Sequence, residues 1–272
     1  MNIDIKDKRV LVTGSSKGIG FEIARTFAQE GAQPILVSRD GARLKEVADT
    51  ILTDTGISCE TIPMDLSAPG ASDAVMKAVG NVDILVNNAG AIPGGDINQV
   101  DEATWRSAWD LKVFGFINMT RTFLAPMEER GFGVILNIIG QAGSAPRADY
   151  ICGSTGNAAL MAFTQAIGGA STQSGVRVFG INPAPTRSDR MEGLLRRQAK
   201  MRFGDEEKWH DLTTKLAFGR LIEPPEIAKL AVFCASPLCS YLSGTVIDVD
   251  GGMLRAPSIL INNALITPLL GD

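Results

Sequence analysis

From end to end, short runs of consecutive apolar residues alternate with longer stretches in which apolar residues return every three or four positions. The short runs fall at 9–13, 34–38, 57–62, 82–87, 132–139, 176–181 and 245–249. Largely apolar runs of this length predict strands, most of them buried on both faces. The longer stretches, at 19–30, 41–54, 71–79, 101–129, 154–172, 189–216 and 225–235, predict helices with one apolar face. Regular alternation of the two predicts an α/β fold: a doubly wound parallel sheet with helices on both faces. No composition break, repeat or long linker interrupts the pattern, so residues 1–255 read as one domain. Two segments depart from it. Residues 187–218 form an insert before the last helix and strand, and residues 256–272 form a mostly apolar tail.

Composition narrows the function classes. The chain has 272 residues, 45% hydrophobic and 21% charged, enough for a large core. A formal net charge of -4 gives no reason to expect nucleic acid or an anionic membrane as partner. Cys59, Cys152, Cys234 and Cys239 have neither metal-ligand spacing nor the pattern of a disulfide framework, so we expect reduced thiols and no metal. The amino terminus lacks the apolar run of a signal peptide, and no segment reaches about 18 uninterrupted apolar residues. A soluble, cytoplasmic protein is expected.

The candidate chemistry begins at the first strand. Val10, Leu11 and Val12 run into a turn containing Gly14, Ser16, Lys17, Gly18, Ile19 and Gly20. Phe21, Ile23, Ala24 and Phe27 then recur at helical steps. A glycine-rich turn at a helix N-terminus offers bare backbone N–H groups and the positive end of a helix dipole to a pyrophosphate. A dinucleotide site of Rossmann type follows.

Further motifs resemble those of the short-chain dehydrogenase/reductase family, in that family's order. Asp65 and Leu66 follow the third strand, where the family contacts the adenine. Asn87, Asn88, Ala89 and Gly90 end the fourth strand and match the family's cofactor-wall motif. Asn182, Pro183 and Ala184 end the sixth and look like the segment beside the nicotinamide, followed by Thr186 and by Ser188 in the usual threonine place. Gly219-Arg220, Pro225 to Ala228 and Asp250 to Gly252 resemble the carboxy-terminal signature. The resemblance spans residues 8–252 and implies a seven-stranded parallel sheet, a nicotinamide cofactor, a small-molecule substrate and a homotetramer or homodimer. Arg39 sits at the end of the second strand, where NADP-preferring relatives carry arginine, and Lys17 adds a second cation. A guanidinium grips a phosphate bidentately, so NADP is expected over NAD.

The proton-transfer residues depart from the family pattern. Where the resemblance calls for asparagine, serine, tyrosine and lysine, this chain has Lys112, Gly140, Gly153 and Asn157. The nearest phenol is Tyr150, and its fourth neighbour is Ser154, so no register yields Tyr-x-x-x-Lys. Tyr150, Gly153, Ser154 and Asn157 nevertheless share a helical face. If the helix begins at or before 150, the phenol of Tyr150 leans into the gap left by Gly153 and Lys112 supplies the missing ammonium; otherwise Tyr150 lies in the preceding loop and Lys112 is a surface or structural residue. Asn157 joins the cofactor contacts. Ser154 is a candidate to orient the substrate oxygen, or else a helix cap. Cys152, His210 and Asp149 rank lower as an inert thiol, an exposed lid residue and a solvated carboxylate.

These observations favour an NADP-dependent oxidoreductase acting on a carbonyl or alcohol. They leave open a nucleotide-binding protein without redox turnover, or another enzyme on the same fold. The insert is read as a substrate lid. Its Met191, Leu194, Leu195, Met201 and Phe203 suggest a pocket for a hydrophobic substrate, and plain helix packing explains them equally. The tail is expected to pack on a partner subunit, since exposed apolar patches mark interfaces.

Overall fold

The computed structural model describes residues 3–255. The tail expectation falls on 256–272 and lies outside the described residues. Strands β1 (Arg9–Thr13), β2 (Gln33–Ser38), β3 (Glu60–Pro63), β4 (Ile84–Asn87), β5 (Gly133–Ile138), β6 (Val176–Pro183) and β7 (Val246–Val249) form one sheet. Its order is β3-β2-β1-β4-β5-β6-β7, and every pairing is parallel. The expected run at 57–62 starts late: β3 opens at Glu60, where the chain first pairs with Ile35. Because strand order reverses between β1 and β4, their carboxyl ends diverge into a crevice, the usual ligand position of an open α/β sheet.

Side-chain alternation in the strands divides the core in two. Val10 and Val12 of β1 face α1 (Gly18–Gln29), α2 (Gly41–Thr55) and α9 (Pro224–Ala235). Leu11, between them, faces α3 (Ala71–Val79) and α5 (Gly115–Arg130). Consecutive apolar residues in a strand thus serve two layers at once, which is why the strands read as largely apolar runs. Phe27 of α1 and Phe123 of α5 are buried, one on each side.

Three expected helices are cut or extended. The stretch at 101–129 is α4 (Glu102–Trp109) and α5 joined by a π-turn at Asp110–Phe114. Such turns carry one extra residue per turn and occur often at functional sites. Here the turn carries Lys112. The helix expected from 154 begins earlier, as α6 (Ile151–Ala170), with Tyr150 as its cap residue. The insert is not one helix. It is α7 (Asp189–Phe203) and α8 (Trp209–Thr213), separated at Gly204, whose φ of 73° ends α7 in the left-handed region. Leu195, Ala199, Trp209, Leu216 and Leu221 bury against one another and Met253, so the insert carries a small core of its own.

The carboxy-terminal signature is structural. Arg220 grips Glu226 through two bonds of 2.7 and 2.8 Å, and Glu226 accepts from the Glu223 amide at 2.8 Å at the start of α9. At the other end of α9, Arg177 of β6 donates to the carbonyls of Cys234, Ala235, Ser236, Cys239 and Leu242. One guanidinium therefore satisfies the open end of the helix that packs on α1. Arg177→Met takes this donor from the carbonyls of Cys234, Ala235 and Leu242, while those of Ser236 and Cys239 keep backbone amides, and is expected to lower unfolding free energy by about 2–4 kcal/mol, measured by urea denaturation.

Candidate active site

The glycine turn is held by contacts too short to admit side chains. A Cβ on Gly14, where φ is +66°, would lie 2.8 Å from Ala89 Cα; one on Gly20 would lie 2.4 Å from the Gly14 carbonyl. Beneath the turn, Thr13 Oγ1 accepts from the amides of Asn88 (2.8 Å) and Ala89 (3.1 Å) and donates to the Val86 carbonyl (3.2 Å). The Asn88 amide donates to the carbonyls of Thr13 and Gly14. The end of β4 is thereby tied to the end of β1. Asn87 points the other way, donating to Thr120 and Asn137, and Asn137 donates on to Thr164. This buried polar line crosses from β4 through β5 to α6.

A cleft of about 1740 Å³ runs along these strand ends. Gly14, Ser16, Lys17, Gly18 and Ile19 line one part of it, with Arg39 and Leu66. Asn88, Ala89, Gly90, Asn157, Pro183, Ala184 and Thr186 line the rest, together with Lys112 and Tyr150. Three expected site residues are absent from the lining. Gly20 packs beneath the turn. Asp65 is engaged by the amide and hydroxyl of Ser67, which hold its carboxyl below the ordinary value. Ser154 is buried, accepting from the Arg147 amide at 2.9 Å and donating to the Arg147 carbonyl at 3.3 Å. Its hydroxyl fastens the preceding loop and does not face the substrate end. Ser188 caps α7 through the Met191 amide.

The residues present fit a dinucleotide. Helix α1 starts without a side-chain cap and without an acidic residue in its first turn, so its free N–H groups have no competing partner. Space is open where a Cβ on Gly18 would stand. Asp40 caps α2 through the Arg43 amide, which leaves Arg39 exposed with no ion pair among the described residues. The hydroxyl of Ser38 beside it is buried and has no partner among the described residues, as is true of Asn157 Oδ1 at the far end of the cleft. Buried polar atoms without partners mark places where a ligand or water completes the bonding.

At the substrate end, neighbours fill each emptied position. A Cβ on Gly153 would stand 2.1 Å from the ring of Tyr150 and 2.6 Å from its hydroxyl, so the phenol lies over Gly153. It occupies the root of the side chain that a tyrosine at 153 would carry. A Cβ on Gly140 would stand 2.9 Å from the Asn157 amide nitrogen, which takes the place of the absent serine. Lys112 does not bond Tyr150; its Nζ donates to the Ile139 carbonyl at 2.6 Å. Burial first, then the charge of Arg190, pulls its amine down to about 8. Burial raises the phenol of Tyr150, Arg190 opposes that, and Cys152 adds a smaller rise.

Arg190 is the residue that the sequence reading missed. It sits in the first turn of α7, lines the cleft, and donates to the Ile92 carbonyl at 2.6 Å. A signal existed: a cation beside the positive end of a helix dipole is badly placed unless it has other work. The lower-ranked candidates stay out of the chemistry. Cys152 is buried with its thiol raised by that burial, His210 stacks on Trp209 at 3.7 Å outside the cleft, and Asp149 is paired with Arg147. Of the apolar lid residues, Met191 alone reaches the lining. Leu195 is in the insert's core, while Met201 and Phe203 are exposed.

The family model described as short chain dehydrogenase matches residues 8–199. The galactitol 2-dehydrogenase (L-tagatose-forming) of Cereibacter sphaeroides is 35% identical over 243 residues, 89% of this chain and 92% of that one. A 3-oxoacyl-[acyl-carrier-protein] reductase of Aquifex aeolicus is 30% identical over 260 residues, 93% of this chain and all of its own. Among solved structures, L-sorbose reductase from Gluconobacter frateurii, complexed with NADPH and L-sorbose, superimposes with a TM-score of 0.88 at 30% identity, covering 94% of this chain and 100% of that chain. The chain belongs to the short-chain dehydrogenase/reductase family of NAD(P)-linked oxidoreductases.

The Lys112 amine gives a stability test. Its ordinary value is 10.5 and its folded value about 8. Between those limits the unfolded chain keeps a proton that the native chain has released, so stability rises with pH across that window. Below it the native state carries a buried, unpaired charge. Lys112→Met is expected to be about 1–3 kcal/mol more stable than the parent at pH 7 and to lose the alkaline rise, as followed by denaturant titration at several pH values.

Proposed function

We propose that this chain is an NADP-dependent oxidoreductase that moves hydride between the nicotinamide and a carbonyl or alcohol substrate, with Tyr150 exchanging the proton. The observation that carries the reading is the phenol of Tyr150 folded over Gly153 within the cleft. Gly14, Ser16, Lys17, Gly18, Ile19 and Thr186 would hold the pyrophosphate. Arg39, with Lys17 nearby, would take the 2′-phosphate, and Leu66 would border the adenine. Asn88, Ala89 and Gly90 would form the wall, Pro183 and Ala184 would border the nicotinamide, and Asn157 would meet its ribose. The relative solved with NADPH and L-sorbose supports the choice of cofactor. When bound, the reduced nicotinamide supplies the hydride.

The protein's own part is the proton. Burial holds the Tyr150 phenol above its ordinary value, so it stays protonated at neutral pH. That state suits donation to a carbonyl oxygen. Lys112 contributes an ammonium whose bond to the Ile139 carbonyl fixes it at the cleft wall. The reading carries a cytoplasmic homotetramer or homodimer, which the family's usual form supports, and the 187–218 insert as lid. A second reading, cofactor binding without turnover, draws on the same raised phenol, which is a poor base.

Arg39→Ala is expected to weaken NADPH binding by about 10- to 100-fold and NADH binding far less, by fluorescence titration. Tyr150→Phe is expected to lower NADPH consumption by about 10²–10⁴-fold while NADPH still binds. Unchanged turnover in Tyr150→Phe would remove Tyr150 from the mechanism. Tight NADPH binding with no carbonyl reduced would leave the second reading standing.

A further inference from the structure

The substrate end of the cleft holds two cations without an acidic partner. Lys112 and Arg190 each donate at 2.6 Å to a backbone carbonyl, of Ile139 and of Ile92, and neither forms an ion pair among the described residues. The other charges on this wall are accounted for. Arg147 and Asp149 hold each other, Arg187 holds Glu223, and Arg196 holds Glu192. Asp96 accepts from the amides of Asn98 and Gln99 in its own loop. Asp189 stands in the first turn of α7, where the helix dipole favours it.

Lys112 and Arg190 also converge on one turn. The Lys112 side chain packs on Gly90, its Cδ 2.8 Å from where a Cβ would stand, and Arg190 bonds the carbonyl two residues on. Ile92 packs in one cluster with Tyr150, so the guanidinium is anchored beside the phenol. The charge that acts most on buried Lys112 is another cation, Arg190. Arg190 stands exposed at the cleft with donors to spare, and an anion bound there would relieve the repulsion between the two cations.

We propose that this anion is a carboxylate on the substrate: a small oxo acid whose carbonyl meets Tyr150 while Arg190 and Lys112 bind its carboxylate. The proposal rests on the oxidoreductase reading above. Arg190 spends one N–H on Ile92 and keeps the rest of its planar fork, whose geometry matches a carboxylate. The carbonyl carbon takes hydride from NADPH, the carbonyl oxygen takes the Tyr150 proton, and solvent returns that proton to the phenol. The oxo acid leaves as a hydroxy acid and NADPH as NADP⁺.

The test compares kcat/KM for pyruvate, 2-oxobutyrate and acetoacetate with that for their methyl esters, using NADPH and the full chain. At least one acid is expected to exceed its ester by about 30-fold or more. Arg190→Leu is expected to bring that ratio to about one, chiefly through KM, and Arg190→Lys to restore part of it. Equal use of acids and esters, a ratio that survives Arg190→Leu, or reduction of neutral ketoses with every acid refused would each overturn the proposal and leave the oxidoreductase reading intact. Reduction of none of these by protein that binds NADPH would overturn it too. Should Arg190→Leu weaken NADPH itself about tenfold with the ratio kept, the anion is the cofactor's phosphate and the proposal fails. Loss of all NADPH affinity in the parent protein would instead overturn the earlier reading.

Discussion

The close approach of the first glycine turn to the end of β4 is the constraint on which this molecule depends. At Gly14 the backbone lies so near Ala89 that a single carbon would displace it, and at Gly20 a carbon would strike the Gly14 carbonyl and the Asn88 side chain. Thr13 and Asn88 stitch the same junction with five hydrogen bonds. Because strand order reverses here, the junction is also the root of the crevice. Bare amides at the start of α1, the wall at Asn88 to Gly90 and the substrate end all take their positions from it. The two-sided core serves mainly to hold β1 and β4 side by side, so packing and binding meet at one place.

Around that junction, the positions where the family carries asparagine, serine, tyrosine and lysine show a set of linked exchanges. Glycine at 153 makes room for the phenol of Tyr150, and glycine at 140 makes room for the amide of Asn157. Each exchange needs its partner: a side chain restored at 153 would collide with Tyr150, and one at 140 with Asn157. Space at Gly153 is filled by the residue three before it and space at Gly140 by a residue of α6, so the shape of the wall is kept while its chemistry changes. The cost is electrostatic. Lys112 has entered a buried position against a carbonyl, and Arg190 arrives from the lid to face it.

The lid illustrates how the same composition serves two ends. Its apolar residues build a private core around Trp209, with the guanidinium groups of Arg187 and Arg196 over the indole ring. A self-supporting lid keeps its shape while presenting mostly polar and charged groups, Arg187 to Glu192, to the cleft. The lining that results differs from the hydrophobic pocket that the apolar spacing suggested. Periodicity reports that a helix buries a face; it does not report against what.

The chain's own order of residues determined the sheet, most of the helices and the glycine turn, because these follow from local rules: apolar period, backbone freedom at glycine and the dipole of a helix start. The overlay of Tyr150 on Gly153 was one of two readings the spacing allowed; the ring reaches Gly153 from a cap residue whose backbone is not helical. Tertiary structure alone decided what the cations do. Whether Lys112 meets Tyr150 or Ile139, and whether Arg190 reaches the cleft, depends on the π-turn at Asp110–Phe114 and on the angle of α7. Those are set by packing between segments far apart in the chain. A long flexible side chain carries no record in the sequence of which distant carbonyl it will find.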